Sequence, residues 1–138
     1  MEAESKKIGM LRVPNALIAS MWAGETIVLE AEVTTRVALL KEEYVHFLHD
    51  PVRLNTQLEC LISLHGRDII QRWTTMAHEG AWDTLTEELL IRHYDPSYTR
   101  AIVKHYPSLD RALRLHVAAA GNSAFAALAR DYLENNSL

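Results

Sequence analysis

Residues 25–32, ETIVLEAE, decide between an all-helical chain and one that contains a sheet. Their centre, Ile27-Val28-Leu29, is an unbroken apolar run bounded by acids, and it is too short for an amphipathic helix. That pattern predicts a strand buried on both faces, which is the habit of parallel sheets. A second strand is predicted late in the chain, and whether residues 27–29 find a partner is left open by the sequence. RALRLHV (111–117) alternates Leu113, Leu115 and Val117 with Ala112, Arg114 and His116, as a strand with one exposed face does.

Between the two strands the period is helical. Val33, Val37, Leu40, Tyr44, Phe47 and Leu48 form one stripe, ending near Asp50-Pro51. Aspartate as N-cap and proline in the first turn start the next helix, with Leu54, Leu58, Leu61 and Ile62 as its buried stripe and Gly66 as its end. A further helix carries Ile69, Ile70, Trp73, Met76 and Ala77 up to Gly80. TLTE (84–87) has the form of a capping box, and a second Asp-Pro pair, Asp95-Pro96, predicts another helix start. Outside the strands, Pro14 opens a short helix that Gly24 stops, and Phe125, Leu128, Ala129 and Tyr132 mark a final one. The expected class is α/β, mostly helical, with an incomplete P-loop-type sheet of about two strands and a helical C-terminal lobe. The expected division is 1–32, a strand-end loop, helix and strand closing a P-loop-like α/β domain, and 33–138, the helical lobe with one late strand and a terminal helix.

Bulk composition narrows the function classes. The chain has 138 residues, 49% of them apolar and 23% charged, which suits one soluble domain with an ordinary core. A net charge of -4 argues against nonspecific coating of nucleic acid but permits a local basic face. One cysteine, Cys60, allows no internal disulfide, and no signal peptide or bilayer-length apolar run occurs, so the expected compartment is the cytoplasm and no membrane partner is expected.

Three constellations carry possible chemistry. Glu43, His46 and His49 follow at three-residue spacing, as in dimetal carboxylate bundles, but no second Glu-x-x-His occurs, and a solvated helix face is the better reading, so no metal site is expected. Cys60 lies between Leu58 and Leu61 and reads as a small buried hydrophobe. Arg92 to Arg114 holds Arg92, Arg100, Lys104, Arg111 and Arg114 against Asp95 and Asp110, a net +3, with Tyr94, Tyr98 and Tyr106 interleaved. Cations for phosphates and flat rings for unpaired bases are the ingredients of RNA contact, while scattered arginines and tyrosines at helix ends are also ordinary solvated surface. Neither G-x-x-x-x-G-K-[ST] nor G-x-S-x-G occurs in these residues.

Read in order, EAESKKIGMLRVPNALIASM, ALLKEEYVHF, LHGRDIIQRW and WDTLTEELLIRHYDPSY resemble the C-terminal third of bacterial tRNA 2-selenouridine synthases. The family pattern is V-E-x-E-S-R-x-I-G-x-L-x-x-P, then L-x-x-E-Y, L-x-x-H-G and E-L-L-x-x-H-Y-D-P-x-Y. The resemblance implies an enzyme that joins a rhodanese-like domain to a P-loop domain. Such an enzyme converts wobble 2-thiouridine of tRNA to 2-selenouridine through an S-geranyl intermediate, using geranyl diphosphate and selenophosphate. It implies that Glu2, Glu4 and Ser5 stand at a strand end on the catalytic side, although a charged, frayed terminus explains the same residues. Lys6 stands where the family has arginine, and a phosphate contact there would be weaker without the planar fork. His93, Tyr94, Asp95 and Tyr98 fall on the substrate or tRNA side together with Lys6, Arg92, Arg100 and Lys104, with helix capping as the competing role for Asp95. The phosphate loop and the reactive cysteine fall outside the resemblance, so the expectation is a C-terminal portion that binds no cofactor and is inactive by itself. Its expected partners are tRNA, a separate N-terminal portion and, through an exposed sheet edge, a second copy. A stand-alone RNA-binding or adaptor module, or a remnant without function, is the rival expectation.

Overall fold

The computed structural model describes residues 6–119 and 121–135, with the side chain of Asn122 excepted. The expected catalytic residues Glu2, Glu4 and Ser5 lie outside this range. Where the sequence predicts a loop, the chain forms a small antiparallel hairpin, β1 (Lys7–Ile8) and β2 (Leu11–Arg12), turning at Gly9-Met10. Helix α1 (Asn15–Ala23) follows Pro14 and stops at Gly24, as its punctuation predicts. Strand β3 (Ile27–Glu30) then pairs in parallel with β4 (Leu113–His116), Ile27 opposite Leu113 and Glu30 opposite His116.

This parallel pair joins the beginning of the chain to its end. Its register is extended by the Val117 amide, which donates to the Glu30 carbonyl at 2.7 Å. The expectation that β3 is buried on both faces does not hold: Ile27 is 42% and Leu29 56% exposed. Among the described residues each strand has one neighbour, and no second layer closes over both faces.

The helices between the strands build the core. Residues 33–48 form two helices, α2 (Val33–Glu43) and α3 (Val45–Leu48), broken at Tyr44. Asp50 caps α4 (Pro51–Glu59) by accepting a hydrogen bond from the Arg53 amide at 3.0 Å, with Pro51 in the first turn. The predicted stripe then divides, because Cys60 and Leu61 separate α4 from α5 (Ile62–His65). Gly66, with φ 81°, turns the chain directly into α6 (Arg67–Glu79), a backbone setting that side-chain-bearing residues rarely adopt.

Helix α6 buries Ile70, Trp73 and Ala77, at positions i, i+3 and i+7, against Leu58 of α4 and Leu85 of α7 (Trp82–Leu89). Trp73 is fully buried and anchors this cluster. The left-handed Gly80, φ 70°, ends α6 with its amide on the Ala77 carbonyl, while the Ala81 amide bonds Met76. That tight turn delivers Trp82 straight onto the core, so α7 begins two residues before the TLTE box, which therefore does not cap it.

Helix α8 (Asp95–His105) does begin at the Asp95-Pro96 pair, as predicted, but with no break and no side-chain cap before it. Helix α7 runs through a π-helical turn (Leu90–Tyr94) into α8 without an interruption. The Asp95 amide reaches the Leu90 carbonyl five residues back, and the widened turn admits Pro96, which has no amide hydrogen to donate. A 3-10 turn (Leu109–Arg111) leads into β4, and α9 (Asn122–Asn135) closes the described chain. The result is a mostly helical α/β architecture with a two-stranded parallel sheet. Cys60 is exposed, contrary to its expected burial, because it falls at the end of α4, where its thiol reaches only the Thr56 carbonyl at 3.5 Å. Among the described residues no helix is long and apolar enough to cross a membrane.

Candidate functional site

A cleft of about 1220 Å³ opens between β3, α2, α4, α7, the π turn and α8. Leu39, Leu40, Leu54, Leu58, Leu61 and Leu89 make one side of it apolar, and Phe125 of α9 reaches it from the C-terminal end. At the other side, polar groups converge. The Arg36 guanidinium of α2 donates to both carboxylate oxygens of Asp95, one of these bonds measuring 3.0 Å. This planar, two-point contact uses the Asp95 side chain across the fold, which explains why it caps no helix. The Asp95 hydrogen bond and charge hold Arg36 above its ordinary pKa, against partial desolvation.

Beside this pair, His93 and Tyr94 of the π turn and Tyr98 of α8 line the same cleft. Rings succeed one another here: His93 and Tyr94 are 5.3 Å apart and edge-on, and Tyr94 and Tyr98 are 6.3 Å apart. His93 Nδ1 lies 3.0 Å from His65 Nε2, a hydrogen bond between the π turn and the last residue of α5. Burial pushes His93 below the usual histidine pKa, and the neighbouring His65 adds to the depression. His65 packs in turn against Trp73, ring to ring at 5.1 Å. Trp73 Nε1 donates to Glu88 at 3.0 Å, and Glu88 also accepts from Arg72 and lies 3.7 Å from Arg92.

The residues expected on the substrate side therefore divide. His93, Tyr94 and Tyr98 line the cleft, whereas Lys6, Arg92, Arg100 and Lys104 are not part of its lining. Arg92 faces Glu88, and Arg100 and Lys104 are exposed on α8. The Lys6 ammonium lies 5.0 Å over Trp22, whose indole stacks on His105 at 4.2 Å and 11°. That stack brings the hairpin, α1 and the end of α8 together. Glu43, His46 and His49 are separated by the break at Tyr44, and among the described residues no cluster of three or more ligating side chains could hold a metal.

Sequence reasoning missed Arg36, which stands outside every motif fragment, and gave no role to Tyr44 or His65. The last two were legible in principle. They fall in the fragments LKEEY and LHG, and the fold brings Tyr44 to the cleft that HYDPSY lines and His65 onto His93.

The geometry defines a mostly helical α/β protein with a half-apolar cleft and a polar cluster at one side, the usual composition of a ligand site. Residues 1–65 match the family model described as the tRNA 2-selenouridine synthase AAA domain. No curated protein and no solved structure matches the chain.

Proposed function

We propose that this chain supplies the tRNA-binding and substrate-binding part of an enzyme that converts wobble 2-thiouridine to 2-selenouridine through an S-geranyl intermediate. The observation that carries the reading is convergence: Arg36 and Tyr44, inside the family-matched segment, meet His93, Tyr94, Asp95 and Tyr98, outside it, at one cleft. Aromatic rings at its polar side suit an unstacked base, and the exposed cations Arg100 and Lys104 on α8 suit the phosphates that flank it. The phosphate loop that would hold geranyl diphosphate or selenophosphate, and the reactive cysteine, would come from polypeptide outside these 138 residues, since no such loop motif occurs within them. The open edges of β3 and β4 would receive that portion or a second copy of this chain. Such an enzyme works in the cytoplasm.

The test is a competition titration. A labelled tRNA with 2-thiouridine at the wobble position is titrated with the chain, with unmodified tRNA as competitor, at low and moderate salt. Preference for the thiolated tRNA that survives moderate salt is expected; equal displacement by both tRNAs, or binding that disappears with salt, contradicts the reading.

A further inference from the structure

We infer that His65 and His93 form an acid–base pair in which His93 Nε2 is the proton acceptor of the cleft and His65 is the residue that positions it, for a ligand carrying an acidic ring N–H beside a thiocarbonyl. The ligand class rests on the proposed function; the pair rests on geometry. With Nδ1 of His93 committed to His65 Nε2 at 3.0 Å, the nitrogen outside that bond is Nε2, on a side chain that lines the cleft. Two tautomeric arrangements satisfy the contact. If His93 donates from Nδ1, its Nε2 carries a lone pair and accepts a proton; if His65 donates, Nε2 of His93 already carries hydrogen and cannot.

The surroundings favour a working group. His93 sits in a π-helical turn, a distortion that recurs at functional sites, and the packing of His65 on the fully buried Trp73 fixes the acceptor ring. The charged groups lining the cleft are largely engaged: Arg36 with Asp95, Lys41 with Asp83 and Glu30 with Arg114, while Glu43 is exposed. Tyr94 meets His93 edge-on, and the His65 ring is hydrogen-bonded to His93 Nδ1. The neutral imidazole is favoured at neutral pH by partial burial, as a base requires.

The step balances within the two partners. The ring N–H bond of the thio-base breaks, a new N–H bond forms at His93 Nε2, and the negative charge left behind is shared between ring nitrogen and sulfur, which makes the sulfur the nucleophile. The imidazolium then donates from Nδ1 to His65 in a charge-assisted bond. An oxo-base, whose N–H is less acidic, gives up its proton less readily.

Long-range proton–nitrogen NMR of the imidazoles in the full chain tests this. His93 is expected to carry hydrogen on Nδ1 and not on Nε2 near neutral pH; hydrogen on Nε2 overturns the pair whatever RNA does. H65Q, which retains an acceptor, is expected to keep that tautomer and H65F to lose it. An RNA stem-loop with 2-thiouridine is then expected to shift the His93 Cε1 proton toward its imidazolium position, and the uridine version to leave it in place. Binding of the thiolated RNA without that shift overturns the inference and leaves the proposed function intact. No binding of either RNA contradicts the proposed function itself and, with it, the ligand named here.

Discussion

His93 has opposite consequences for stability and for chemistry. Its pKa is lower in the folded chain than in the unfolded one, so the unfolded chain takes up the proton first as pH falls. Stability is therefore unaffected by this group well above the ordinary histidine range and declines as pH drops through that range to the depressed folded value. Replacing His93 with phenylalanine is expected to flatten this acid-side decline, measured by urea unfolding between about pH 7.5 and 5; an unchanged slope would place the titrating group elsewhere. Arg36 and Asp95 follow another logic, because both partners retain substantial exposure. A double-mutant cycle with R36A and D95A is expected to return a coupling of about 1 kcal/mol or less, in keeping with solvent-screened pairs. Its value lies in aiming two polar groups at the cleft.

At the level of elements, the caps make separable predictions. D50A removes the acceptor for the Arg53 amide and is expected to cost about 1 kcal/mol. G80A places a side chain at φ 70° and is expected to cost about 1–2 kcal/mol, even though the nearest atom to an added Cβ, on Trp82, is at an ordinary 3.7 Å. Chemical denaturation of each variant checks both. The same elements show what the sequence could reveal. Asp50-Pro51, Gly66 and Gly80 were readable because capping chemistry is local. The second Asp-Pro pair marked the start of α8 but not the use of Asp95, which a π turn and a partner 59 residues away in the chain, Arg36, decide. The TLTE box failed for a related reason: the burial of Trp82 sets where α7 begins. Strand β3 was legible from its apolar run and β4 from alternation, but their pairing and exposure depend on how the helices between them fold and on what packs over the sheet, which periodicity does not encode.

Across the whole molecule, the core and the cleft share one support. Trp73 closes the cluster of α4, α6 and α7, and its ring also backs His65, which holds His93. W73A is expected to destabilise the fold by about 3–5 kcal/mol, read by thermal or urea unfolding. W73F, which keeps most of the volume, is expected to lose less stability while freeing Glu88 from the indole N–H. The sheet behaves differently. With Ile27, Leu29 and Leu113 exposed, β3 and β4 offer apolar side chains that the core does not need, and among the described residues each has one strand neighbour.

The central claim is that the wobble base enters the cleft between α2 and the π turn. Its most direct measurement is photocrosslinking from a tRNA carrying a photoreactive base at the wobble position, with the crosslinked peptide identified by mass spectrometry. Crosslinks to the peptide spanning 92–98, competed by 2-thiouridine tRNA, are the predicted result. Crosslinks confined to the β1–β2 hairpin or to α6, with the cleft peptides unlabelled, would contradict it.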